Sequence, residues 1–258
     1  MKLATYNVNS IRARLERLVA WLGREQPDVV CLQELKVPDH EFPMMEVQAA
    51  GYQAAVYGQK TYNGVAILAK QPPEDVRIGF GGGADPDARL IAARVNGIRV
   101  ISAYVPNGQV VGSEKWAYKL DWYDRLRAHL EQTYSPDEPL VLCGDFNVAP
   151  EDRDVARVEE WANTVLAHED GRAKLRALTA WGLVDTIRLH HNDQGPYSWW
   201  DYRMLGFAKG NGLRIDHILA TRPLAARCTE AHVVRDERKG KLPSDHAPVV
   251  AVFEERPA

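Results

Sequence analysis

The chain has 258 residues, 45% of them hydrophobic and 26% charged, with Gly 19 and Pro 15. That composition excludes collagenous, low-complexity and disordered chains, and the length suffices to bury a core without disulfide or metal staples. A formal net charge of -3 excludes a chain that holds nucleic acid by bulk positive charge, but leaves room for a local basic face.

Taken in chain order, the apolar run 3–8 predicts a first strand. Leu15, Leu18, Val19 and Leu22 follow at helical spacing, and Gly23 marks the expected stop. The run 29–33 predicts a strand, and Tyr62-Asn63-Gly64 opens another over 64–69. Residues 79–84 fit the letter of a dinucleotide-binding glycine motif. Asp85-Pro86-Asp87 behind them cannot open the helix that motif requires, so the segment reads as a flexible loop. Runs 90–95 and 98–105 flank Asn96-Gly97, a hairpin signal because both residues tolerate positive φ. Trp116, Leu120, Tyr123, Leu126 and Leu130 predict a longer helix ending before Ser135-Pro136. A strand at 140–144 comes next, then a helix carrying Leu175, Leu178 and Trp181 with Gly182 just past its end. Runs 183–187, 213–219 and 247–253 complete the strands, and His190-His191 reads as a solvated turn. With no internal repeat and no linker, one mixed α/β domain over residues 1–258 is expected, with helices outside and strands inside.

The three cysteines, Cys31, Cys143 and Cys228, are too widely spaced for a disulfide framework or a zinc ribbon. Cys31 and Cys143 lie in apolar runs and are expected to be buried free thiols. No apolar run approaches the ~18 residues of a membrane span. Polar residues interrupt the N-terminus, so no signal peptide and a cytoplasmic protein are expected.

Acids and amides fall at the ends of the predicted strands. Asn7, Glu34, Tyr104, Asp145 with Asn147, and Asp245-His246 occupy such positions, and Asp216 lies within the run 213–219. Ligand sites of α/β sheets form at strand ends and the adjoining loops. Were these ends to converge, Glu34, Asp145, Asp216 and Asp245 would repel one another, and a hard divalent cation with oxygen ligands would relieve the repulsion. Mg²⁺ is the natural ion, with Mn²⁺ as an alternative.

Ordered motifs running from the N-terminus to Phe253 resemble the exonuclease III/abasic-site endonuclease family of the DNase I-like superfamily. They include Asn7-Val8-Asn9-Ser10-Ile11-Arg12, Leu32-Gln33-Glu34, Gly58-Gln59-Lys60-Thr61-Tyr62-Asn63-Gly64 and Tyr104-Val105-Pro106-Asn107-Gly108. Gly144-Asp145-Phe146-Asn147, Tyr197-Ser198-Trp199-Trp200-Asp201-Tyr202-Arg203, Arg214-Ile215-Asp216-His217 and Pro243-Ser244-Asp245-His246 continue the series. The resemblance implies a four-layer α/β/β/α sandwich of two mixed sheets packed face to face.

It also implies roles. Asn7, Glu34 and Asp245 would form the Mg²⁺ site, with Asp145 and Asn147 able to ligate a second ion. Asp145 would activate the attacking water or steer the leaving oxygen, and Asn147 would orient that water or brace the transition state. His246, set by Asp216, would hold the scissile phosphate, and Tyr104 would bond the phosphate or the leaving group. Asn107 would touch the phosphate beside Asn147. Trp199, Trp200 and Leu213 would wall the pocket for a base-less sugar. Adjacent strand residues face opposite ways, so Trp199 is preferred over Trp200. Arg12, Lys60, Lys115, Arg203 and Lys209 are candidate contacts to the DNA backbone.

Two departures stand out. Asn9 replaces an acid carried by some relatives, and Leu35 replaces a common Thr, with its side chain expected to point away from the metal. Residues 157–172 are where substrate preference is expected to vary. The implied protein is a monomeric Mg²⁺-dependent nuclease of double-stranded DNA. It would cut 5′ to abasic sites and trim damaged 3′ ends as exonuclease, phosphatase or phosphodiesterase. The alternatives are the same chemistry on an inositol phosphate or phospholipid head group, or a DNA-binding protein without activity. Residues 203–241 carry nine cationic and four anionic side chains, a stretch expected to follow the DNA backbone.

Overall fold

The computed structural model describes residues 1–81 and 86–255. Along the chain lie β1 (Lys2–Asn7), α1 (Ile11–Glu25), β2 (Val29–Gln33), α2 (Met44–Ala49), β3 (Gln53–Tyr57), β4 (Val65–Ala69) and β5 (Glu74–Ile78). They are followed by β6 (Leu90–Val95), β7 (Ile98–Tyr104), α3 (Glu114–Thr133), β8 (Leu140–Asp145), α4 (Val158–Trp161) and α5 (Glu169–Thr179). The chain closes with β9 (Leu183–Asp185), α6 (Thr186–His190), β10 (Asp216–Thr221), α7 (Arg222–Ala225), β11 (Cys228–Val233) and β12 (Val249–Phe253).

The strands form two six-stranded mixed sheets, ordered β11-β12-β1-β2-β4-β3 and β5-β6-β7-β8-β10-β9. Each is antiparallel except for one parallel pair, β1 with β2 and β7 with β8. The sheets meet through alternate residues such as Leu3, Val29, Cys31, Ile67, Val100, Val141, Cys143 and Ile218. The intervening residues face helices. Ala4, Tyr6, Val30 and Leu32 pack under Leu18, Trp21 and Leu22 of α1. Ile101, Leu140 and Leu142 pack under Trp122, Tyr123 and Leu126 of α3 and Leu175 of α5. Central strands are therefore buried on both faces, which explains why their sequences read as unbroken apolar runs. The expected α/β/β/α sandwich is what forms.

Several boundaries differ from expectation for local reasons. Helix α1 continues through Gly23 because Gln26 takes the left-handed cap, its N–H donating to the Leu22 carbonyl. The run 183–187 is a strand only to Asp185, whose side chain accepts from the Ile187 N–H and starts α6. Leu213 precedes β10 and makes an isolated bridge to Trp199, so Asp216 opens the strand. Strands β3, β5 and β11 have no counterpart in the apolar pattern. All three are sheet edges, and β5 is exposed along its whole length, so no run of apolar residues marks them. The Asn96-Gly97 turn forms as expected, with φ of 50° and 76° between the paired Val95 and Ile98. Of the glycine-rich segment, residues 82–84 lie outside the described residues. Among those described, no helix is long and apolar enough to cross a membrane.

Candidate active site

Sheet register brings the acids together. In the second sheet Tyr104, Asp145 and Asp216 are cross-strand neighbours on β7, β8 and β10. Their approach needs Gly144, where a Cβ would stand 1.8 Å from the Ala103 carbonyl oxygen. In the first sheet Asn7 pairs with Gln33 at the end of the parallel pair, and Glu34 follows directly. Ligand atoms of Glu34, Asp145 and His246 lie within 4.8 Å of one another.

Asn7 links the two sheets at this point. Its Nδ2 donates to Glu34 Oε1 and Asp145 Oδ2, each at 2.9 Å, and its Oδ1 accepts from the Asn9 N–H. Asp145 Oδ1 accepts from the Asn147 N–H at 2.9 Å. Asn147 Nδ2 donates to the Val105 carbonyl, and Asn147 Oδ1 accepts from Asn107 Nδ2. His246 Nδ1 lies 2.9 Å from Asp216 Oδ2, while its Nε2 faces Asp145 Oδ2 at 3.7 Å. Ser198 holds Asp216 from the other side, its hydroxyl donating to Oδ2 at 2.6 Å. Ser198 was not legible as a site residue. It is a lone serine in an aromatic motif, and only the fold sets it beside Asp216.

Electrostatics follow from this crowding. Burial pushes the Asp145 carboxyl well above the usual range; Asp216 and Glu34 add to the shift, and His246 and the Asn147 N–H oppose it. Burial opposes charge on His246, but Asp216, Asp145 and Asp245 outweigh it and raise the imidazole to about 10. Burial, with the charges of Glu34 and Asp145, keeps the Tyr104 phenol protonated. Burial also works against the Asp245 carboxylate. The His246 charge and hydrogen bonds from Trp199 and Asn9 outweigh it and hold that pKa below the ordinary range.

The donor set fits a hard divalent cation. Glu34 and Asp145 offer hard oxygens, and their mutual repulsion is part of what raises Asp145. Asp245 stands slightly apart from the Glu34–Asp145–His246 cluster. Its oxygens accept from Asn9 Nδ2 and Trp199 Nε1, both at 2.9 Å. Leu35 is buried under α1, away from the acids. Lys36 forms an ion pair with Glu34 at 2.9 Å.

Of the predicted substrate residues, Asn107 bonds Asn147 and Trp199 bonds Asp245. A cavity of about 450 Å³ beside Glu34 is lined by Tyr104, Asn107, Lys36, Arg89 and Lys115. Trp199 is half-buried, with its ring edge-to-face on Trp161 at 5.5 Å. Trp200 is buried against Phe207. Leu213 is fully buried beneath these aromatics and exposes no pocket wall. Arg203 is exposed and paired with Asp201, apart from the acids. Arg12 pairs with Glu41 on the surface, and Lys60 and Lys209 are exposed. The basic stretch 203–241 does not form one face. Arg214 is fully buried between Asp154 and Asp185, and Arg238 is buried against the Ser244 carbonyl. Formal charge along the chain does not distinguish cations spent on the core from cations left for a ligand.

Lys119 went unread in the sequence. Its position on α3, three residues after Trp116 and four before Tyr123, lies on the buried stripe, and the structure buries it fully. Burial pulls its ammonium down to about 7, with Asp145 opposing.

Comparisons with known proteins agree with this geometry. Residues 4–246 match the model of the Endonuclease/Exonuclease/phosphatase family. The chain is 37% identical to exodeoxyribonuclease III of Haemophilus influenzae, over 98% of this chain and all of that one. Among solved structures, an AP endonuclease from Archaeoglobus fulgidus superposes with TM-score 0.96 at 43% identity, covering 99% of this chain and 100% of that one. A 3′ phosphatase from Neisseria, bound to its product DNA hairpin, superposes with TM-score 0.94 at 39% identity over the same shares. With acids, amides and histidine gathered at the ends of two packed sheets, the chain belongs to the Endonuclease/Exonuclease/phosphatase family.

Proposed function

We propose that the chain is a Mg²⁺-dependent DNA repair nuclease of the exodeoxyribonuclease III type. It hydrolyses phosphodiesters 5′ to abasic sites and trims damaged 3′ ends of double-stranded DNA. The observation that carries this reading is the convergence of Glu34, Asp145 and His246 within 4.8 Å. We read residues 1–258 as one catalytic domain, acting as a cytoplasmic monomer.

Each role has a physical basis. The Asp145 carboxylate, held by Asn7 Nδ2, takes a proton from the attacking water. Asn147 holds that carboxylate through its main-chain N–H. The His246 imidazolium, fixed by Asp216, donates from Nε2 to a phosphate oxygen. Tyr104, kept as a phenol, donates alongside it. The water oxygen bonds to phosphorus, the bond to the 3′ oxygen breaks, and that oxygen leaves as a hydroxyl after protonation by solvent. Glu34, held by Asn7 and joined by Asp145 and Asp245, would hold Mg²⁺. Such an ion would offset charge on the phosphate and on the leaving oxygen. Trp199, with Trp161 against its ring, borders the place for a base-less sugar.

The test uses duplex DNA with one abasic site, incubated with Mg²⁺ or with EDTA. Mg²⁺-dependent incision leaving a 3′-hydroxyl, together with 3′-end trimming, is expected. Absence of both activities would overturn the reading.

A further inference from the structure

We propose that Lys119 is a positioning residue that clamps the two phosphate-facing amides, Asn107 and Asn147, by their main-chain carbonyls. The proposal rests on reading those amides as phosphate contacts.

Lys119 Nζ donates to three carbonyl oxygens: Asn107 at 3.1 Å, Asn147 at 2.7 Å and Val165 at 2.6 Å. These belong to three separate segments, after β7, after β8 and before α5. An ammonium has three donors, and all three are used. No carboxylate lies within ion-pair distance of it among the described residues, although the side chain is fully buried. A buried charge is tolerated only where dipoles or an opposite charge compensate it. Here the carbonyls compensate it in the free protein, and an anionic phosphate on the far side of Asn107 and Asn147 adds to them in the complex.

The stem of the side chain is fitted as closely as its head. Gly108 approaches so near that a Cβ there would stand 3.0 Å from Lys119 Cδ and from the Trp116 ring. Nζ sits 5.2 Å from the centre of that ring. Asn147 adopts φ of 51°, a left-handed conformation that an asparagine holds where its surroundings fix it. Its side chain is locked by Val105 and Asn107, so each amide keeps one N–H for a ligand among the described contacts. Releasing the carbonyls behind this pair lets both amides drift. A misplacement of ~1 Å at such groups costs on the order of 100-fold in rate.

The test compares Lys119→Met, Asn147→Ala, Asn107→Ala and the double variant Lys119→Met/Asn147→Ala on abasic duplex DNA with Mg²⁺. Lys119→Met is expected to lower kcat by roughly 10- to 100-fold with KM within about 3-fold, because groups acting in the transition state are displaced. In the Asn147→Ala background the same change is expected to cost less than about 3-fold, the signature of action through Asn147. In Lys119→Ala, added propylammonium is expected to restore rate while propanol does not. This variant also answers for Lys119→Met should that protein fail to fold. Wild-type kcat in Lys119→Met, losses that multiply in the double variant, or no recovery with propylammonium would each overturn the proposal. Full rate in both Asn107→Ala and Asn147→Ala would overturn the phosphate reading beneath it, and the proposal with it.

Discussion

The two sheets share one plan. Read from β11 to β3 and from β5 to β9, the directions of pairing are the same strand for strand. In each, the parallel pair ends in a polar residue beside an acid: Asn7 with Glu34 in the first, Tyr104 with Asp145 in the second. The covering helices differ. The fully buried side chains of α1 are Ile11, Leu18, Trp21 and Leu22, all apolar, whereas α3 buries Lys119 among Trp116, Trp122 and Tyr123. The first half thus packs its helix and offers an acid, while the second uses its helix to hold loops as well. On the proposed mechanism, metal binding would centre on Glu34 of the first half and phosphate contacts on Asn107 and Asn147 of the second, with Asp145 and His246 at the join.

The largest test of that division is Asp145→Asn. Removing a positioned acid–base group typically costs ~10²–10⁴ in rate, so cleavage should fall by at least that much while DNA binding survives. Single-turnover incision and fluorescence anisotropy would measure the two, and retained turnover would remove Asp145 from its role. In the first half, Glu34→Gln should also slow cleavage, but by a loss that shrinks as Mg²⁺ is raised. A loss indifferent to Mg²⁺ concentration would break the comparison.

His246 joins the halves, since it precedes β12 of the first sheet and bonds Asp216 of the second. Its raised pKa stabilises the fold fully below the unfolded value of ~6.5, and the contribution fades as pH rises toward about 10. In EDTA, the Tm deficit of His246→Gln should therefore be greater at pH 6 than at pH 9, by calorimetry. Gln33 joins them more deeply, its Nε2 donating to Thr5 in its own sheet and to Ser102 across the core. Gln33→Met leaves the Thr5 hydroxyl unpaired and Ser102 with its longer bond to the Leu32 carbonyl at 3.5 Å, and should cost about 1–3 kcal/mol in urea unfolding. The smallest effect is expected at Arg203→Ala. This residue is exposed beyond both halves, and its loss should lower the salt dependence of DNA binding by a slope of about one or less.

Central strands and the long helices were legible because burial on two faces, or on one helical stripe, writes itself into residue pattern. Strands 29–33 and 90–95 match β2 and β6 residue for residue. The acids were legible because they interrupt apolar runs at strand ends. Edge strands β3, β5 and β11 were not, since a strand with an exposed face carries no unbroken apolar run. The roles of cations were not legible either. Arg214 and Arg203 lie eleven residues apart in one basic stretch, yet one is fully buried between two carboxylates and the other is in solvent. Sequence alone determined which residues bear acid, amide and imidazole chemistry, and in what order, because residue type and local periodicity are properties of the chain. Only the tertiary structure decided that Asn7 spans Glu34 and Asp145, that Ser198 holds Asp216, and that Lys119 reaches three loops. Those contacts join residues far apart along the chain, and their distances are set by sheet register and packing rather than by spacing in the sequence.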